Sequence, residues 1–130
     1  MGAQAVSISE DSMTDENMRR NGKTQNRFVF LSSGGLARRL RAEPAPLVLD
    51  VRYPQELEGE LGQLPGAVNV PLAQLQQRLG ELSTQKRRDI VVVCRTGKRS
   101  EAAAQMLHES GFEQLFVLKG GMTAWRNEQR

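Results

Sequence analysis

The chain is poor in the residues that most often carry special chemistry: 130 residues hold one cysteine, one histidine, one tryptophan and one tyrosine. A single cysteine closes no internal disulfide, so the fold does not draw on an oxidising compartment, and a free thiol is best kept where the surroundings are reducing. A cytoplasmic location is therefore expected. Aromatic residues are only 5% of the chain, so aliphatic side chains must fill the core and Trp125 stands out as a packing residue. No apolar run approaches the roughly 20 residues that cross a bilayer, and the first thirty residues lack the apolar stretch of a signal peptide. Neither membrane insertion nor export is expected. The net charge is only +3, and the Lys and Arg residues are scattered rather than massed, which gives no indication of nucleic acid as a partner.

The length suits one compact domain with one core. Residues 1–26 are polar, without a sustained helical or strand period, and set four acids (Glu10, Asp11, Asp15, Glu16) against three bases (Arg19, Arg20, Lys23). Such a segment buries too little apolar area to offset its ordering entropy, so it is expected to be a disordered tail ahead of a domain spanning 27–130. From Arg27 onward, short apolar runs alternate with helical periods, the pattern of an α/β fold. Strands are expected at Phe28–Leu31, Leu47–Val51, near Val68, at Ile90–Val93 and at Leu115–Leu118. Between them fall helices carrying Leu36, Ala37 and Leu40, then Leu72, Leu75, Leu79 and Leu82, then Ala103, Met106 and Leu107, and last Met122 and Trp125. Ser32 or Ser33 is expected to cap the first helix. The runs at Leu47–Val51 and Ile90–Val93 show almost no polar alternation, which marks strands buried on both faces of a parallel sheet, with Ile90–Val93 at its centre.

The lone cysteine follows that central strand, in "IVVVCRTGKRS". If Ser100 opens the next helix, Cys94 sits at the carboxyl end of a parallel strand, where open α/β sheets place their ligands. The loop Arg95, Thr96, Gly97, Lys98, Arg99 then joins strand to helix. Gly97 can adopt a positive φ that turns successive N–H groups inward, and the helix adds the positive end of its dipole. Three cations in five residues strengthen the same field. The loop is a prospective cradle for an anionic sulfur or an anionic substrate. A buried, inert cysteine beside a solvated basic loop is the plainer alternative. Cysteine phosphatases use Cys, five residues, then Arg; here Ser100 stands where that arginine would be, and Arg99 closes a tighter loop better suited to one terminal sulfur than to a phosphate.

Four motifs in order, "LDVR" (Leu49–Arg52), "LPGAVNVPL" (Leu64–Leu72), "VVVCRTGKRS" (Val91–Ser100) and "LKGGMTAW" (Leu118–Trp125), make the chain resemble a single-domain rhodanese over about Phe28 to Trp125. The resemblance implies a five-stranded parallel sheet with helices on both faces. It also implies ping-pong sulfur transfer, with Cys94 taking the outer sulfur of a small anionic donor such as thiosulfate and passing it from a persulfide to cyanide, a thiol or a protein acceptor. No metal or organic cofactor is implied, and the protein is expected to act as a monomer. By position, the amides of Arg95 to Arg99 would hold the persulfide. Lys98 and Arg99, with Arg95 as a third candidate, would bind the sulfonate oxygens. Asp50 and Arg52 would support the active loop, with a structural ion pair the equal alternative for Asp50.

The chain also departs from the family's pattern. Between Glu56 and the "PGA" segment the connection is two residues longer than usual, and Gln63 stands where histidine is common. Glu56, Glu58 and Glu60 are expected to be merely solvated. His108 falls about three turns from the loop, too far for catalysis, and Gly120–Gly121 is expected to be a turn. Two other functions compete: a sulfur-carrier or docking module serving one protein partner, and a cysteine phosphatase or arsenate reductase.

Overall fold

The computed structural model describes residues 27–129, so the expected tail, 1–26, lies outside the described residues. Their elements run β1 (Val29–Leu31), α1 (Ser33–Leu40), β2 (Leu47–Asp50), α2 (Pro54–Leu57), β3 (Val68–Asn69), α3 (Leu72–Arg78), a 3₁₀ helix (Leu79–Gln85), β4 (Asp89–Val93), α4 (Lys98–Glu109), β5 (Gln114–Leu118) and α5 (Gly121–Glu128). Among the described residues the strands form one sheet in the order β1-β5-β4-β2-β3, every pairing parallel. The apolar run Ile90–Val93 is indeed central, in register with Leu47–Asp50 on one side and, through Val92, with Leu115–Val117 on the other.

Strand alternation divides the core into two layers. Leu47, Leu49, Ile90, Val92, Leu115 and Val117 face Leu75, Ala103, Ala104 and Leu107 of α3 and α4. Val48, Val91, Val93 and Leu118 face Leu36 of α1 and Met122 and Trp125 of α5. Both faces of β4 are thus sealed from water, each fully buried Val or Leu contributing about 1.5–3 kcal/mol. Trp125 is 8% exposed and fills the second layer, as its rarity suggested.

Local chemistry sets the differences from expectation. Ser32 caps α1, its Oγ accepting from Gly35 N–H at 3.0 Å, and Ser33 is the first helical residue. The expected helix from Leu72 through Leu82 stops at Arg78 and tightens into 3₁₀ geometry, with Gly80, a poor helix former, in the changed segment. Leu75 and Leu82 remain buried across the change. Helix α4 starts at Lys98 rather than Ser100, because Gly97 at φ 119° turns the chain directly into the helix. Helix α2 was not anticipated; Pro54, suited to a first helical position, opens it.

Candidate active site

Cys94 follows β4 and is 1% exposed. It continues that strand's alternation, so its side chain packs with Val92 and Ala103 in the α4 layer. The left-handed turn at Gly97 brings the chain back over the sulfur: Gly97 N–H donates to Cys94 Sγ at 3.0 Å and Ser100 N–H at 3.4 Å. At Sγ itself the amide donors are therefore Gly97 and Ser100. Both donors come from the start of α4, where helix amides lack internal partners and the dipole is positive. This end of the fold is built to surround sulfur with N–H groups inside a dry core.

The loop is held from behind by α5. Met122 N–H donates to Cys94 C=O at 2.8 Å and Thr123 N–H to Arg95 C=O at 3.0 Å. Gly121, at φ 62°, makes this approach possible: a Cβ there would lie 2.5 Å from the Arg95 carbonyl oxygen and 2.6 Å from that of Cys94. The turn expected at Gly120–Gly121 is present, and it also serves as a buttress for the loop.

Asp50 and Arg52 form a buried ion pair, both 0% exposed. Arg52 Nη2 meets Asp50 Oδ2 at 2.7 Å and Arg52 Nε meets Oδ1 at 3.0 Å, while Arg52 Nη2 also donates to Gly62 C=O at 2.6 Å. Val51 N–H donates to Val93 C=O at 3.0 Å, which ties the pair to the strand that carries Cys94. The pair's role in the fold is structural. It gathers the 50–62 segment beside the active loop, and Arg126 Nε, donating to Leu61 C=O at 2.7 Å, anchors the longer connection from the other side. Gln63, in that connection, is exposed.

Of the cations, Arg95 and Lys98 are exposed together with Thr96, at the rim of the loop. Arg99 is not oriented as a solvated cation: its Nη1 and Nη2 make a bidentate pair with Glu56 Oε2 and Oε1 at 2.7 and 2.8 Å. Glu56, expected to be merely solvated, is thus a site-forming residue. Its Oε2 also accepts from Tyr53 N–H at 2.9 Å at the start of α2. The Arg99 hydrogen bonds outweigh the effect of partial burial and, with the Tyr53 amide, hold the Glu56 carboxyl down from 4.5 to about 2. The reciprocal contact raises Arg99 further above its ordinary value.

The folded chain therefore brings Cys94, Gly97 and Ser100 together at the sulfur, leaves Arg95, Thr96 and Lys98 at the rim, turns Arg99 toward Glu56, and sets Asp50 and Arg52 behind. Sequence reasoning missed Glu56, Gly121 and the two α5 amides. Proline followed two residues later by glutamate hinted at the α2 cap, though not at Arg99. His108 is exposed near the far end of α4. Among the described residues no three His, Cys, Asp or Glu side chains are grouped to hold a metal, and no helix is long and apolar enough to cross a membrane.

The rhodanese-like domain family matches residues 32–128. With that span and this site, the chain belongs to the rhodanese-like family, a family of sulfurtransferases. It is similar to a sulfurtransferase of Allochromatium vinosum, 34% identical over 95 residues that cover 73% of this chain and 85% of that protein. The Bacillus subtilis protein YqhL is 42% identical over 78 residues, 60% of this chain and 59% of YqhL's length. A rhodanese-related protein from Thermoplasma volcanium shares the fold with a TM-score of 0.67 at 28% identity, covering 78% of this chain and 93% of that one.

Proposed function

We propose that the chain transfers a sulfane sulfur through a persulfide on Cys94. The observation that carries this reading is the pair of amides at Cys94 Sγ, at 3.0 and 3.4 Å, since N–H groups aimed at one sulfur stabilise its anion. The Cys94 thiolate attacks the outer sulfur of a donor such as thiosulfate. A new S–S bond forms, the donor's S–S bond breaks, and sulfite leaves with the electron pair. The anionic persulfide then yields its outer sulfur to cyanide or a thiol, and the Cys94 thiolate is regenerated. Lys98 and Arg95 at the rim supply the attraction for the donor's sulfonate. The free thiol suits a reducing compartment such as the cytoplasm.

A second reading is delivery to a dedicated protein acceptor. The exposed Arg95 and Lys98 favour it, because cations at the rim of the loop are a ready contact for an acidic partner. Phosphatase chemistry is disfavoured: Arg99, which would have to clasp phosphate, is engaged by Glu56.

Intact mass measured after exposure to thiosulfate, and again after cyanide, tests the proposal. One added sulfur that cyanide removes is the expected result. Hydrolysis of an aryl phosphate with no sulfur adduct would overturn it. Cys94→Ser is expected to abolish both loading and thiocyanate formation, and surviving turnover would show the nucleophile to be another group. Slow thiocyanate formation beside fast transfer to a protein thiol would favour the carrier reading.

A further inference from the structure

Two buried side-chain oxygens among the described residues have no hydrogen-bond partner, and one of them is Ser100 Oγ, on a residue that is 0% exposed. Folded proteins pair nearly all such groups, so an orphan hydroxyl in a dry core needs a reason. Its position supplies one. The amide of the same serine points at Cys94 Sγ at 3.4 Å, against 3.0 Å for the Gly97 amide, and the hydroxyl lies three bonds from that amide nitrogen. Yet it makes no bond to Sγ. It is a buried donor on a residue whose own amide serves the sulfur, and it has no acceptor while Cys94 is a simple thiol.

We propose that Ser100 is a positioning residue for the carried sulfur: its hydroxyl donates to the outer sulfur once Cys94 holds a persulfide. The inference rests on the Cys94 persulfide reading above. A second sulfur bonded about 2.05 Å beyond Sγ adds a large, anionic acceptor to a cradle whose nearer amides already serve Sγ. A hydrogen bond from a neutral donor to an anion is roughly twice as strong as one between neutral groups. The orphan of the thiol form becomes a satisfied group in the loaded form, so the loop favours the loaded state over the empty one. Because the hydroxyl takes no part in bond making or breaking, it shifts how much sulfur the cysteine holds at equilibrium without being a catalytic residue.

The test compares the full chain with Ser100→Ala in both states. Each protein is equilibrated with fixed thiosulfate-to-sulfite ratios and the loaded fraction read by intact mass, and thermal unfolding is followed for the thiol and loaded forms. The expected result is that Ser100→Ala needs about a tenfold higher ratio for half-loading, as losing one hydrogen bond to an ion implies. The variant's thiol form should unfold at or above the wild-type temperature, since an orphan hydroxyl has been removed, and it should gain less on loading. An unchanged half-loading ratio overturns the inference. So does a thiol form that is destabilised or unfolded by Ser100→Ala, because the hydroxyl would then be satisfied before sulfur arrives. A wild-type chain that takes up no sulfur would instead overturn the persulfide reading itself.

Discussion

Replacing Glu56 by Gln leaves an acceptor for the Tyr53 amide but removes the charge that holds Arg99. The carboxyl's fall from 4.5 to about 2 corresponds to about 3 kcal/mol if fully expressed as stability. Both side chains retain solvent contact, Glu56 at 23% and Arg99 at 30% exposure, so screening reduces the expected loss to about 1 kcal/mol. For a domain of this size that lowers Tm by roughly 4 °C. The sign with pH follows from a folded value below the unfolded one. The contribution is complete above the unfolded pKa of 4.5, shrinks as pH falls toward the folded value of about 2, and is absent below it. Urea unfolding followed by Trp125 fluorescence, run on wild type and Glu56→Gln at pH 7, 4 and 3, should show the gap between them narrowing at the two acidic points. A gap that is as wide at pH 3 as at pH 7, or no gap at pH 7, would refute the assignment of Glu56 as the partner that holds Arg99.

Gly121→Ala places a Cβ 2.5 Å from the Arg95 carbonyl at a left-handed φ of 62°, and should cost about 2–4 kcal/mol and most sulfur loading, both measurable by urea midpoint and intact mass. Asp50→Asn strands the Arg52 guanidinium at 0% exposure, and a loss of about 3–5 kcal/mol in urea unfolding is expected. Lys98→Glu should leave unfolding within about 0.5 kcal/mol of wild type, as for an exposed residue. In steady-state thiocyanate assays it should raise KM for thiosulfate about tenfold, as a two-charge change near a divalent anion implies, with kcat nearly unchanged.

The centre of the fold was legible because its signals are local. Four consecutive β-branched aliphatics, a cysteine and a glycine immediately before a basic helix start encode the strand, its burial and the turn within one short window. The positive φ of Gly97 follows from that window alone. What stayed hidden depends on partners distant in sequence. The Glu56–Arg99 pair joins residues 43 positions apart, and no spacing rule within a helix or strand foretells it. Gly121 reads locally as a turn residue; only the return of α5 beneath Cys94 reveals that its missing Cβ admits two carbonyls. The start of α4 was misplaced by two residues because Gly97 supplies the cap through its backbone, whereas Ser100 carries the more familiar capping side chain.

The two α5 amides have a consequence for which way the loop can face. In a planar trans peptide the N–H points opposite to the C=O. Fixing the carbonyls of Cys94 and Arg95 on Met122 and Thr123 therefore aims the N–H groups of Arg95 and Thr96 away from α5, toward the side of the sheet that the cysteine side chain occupies. The facing of these two peptides is thus set 28 residues downstream of each carbonyl, at Met122 for Cys94 and at Thr123 for Arg95. A change that lifts the first turn of α5 would let these peptide planes flip, putting carbonyl oxygens where N–H groups now face the cysteine side of the loop.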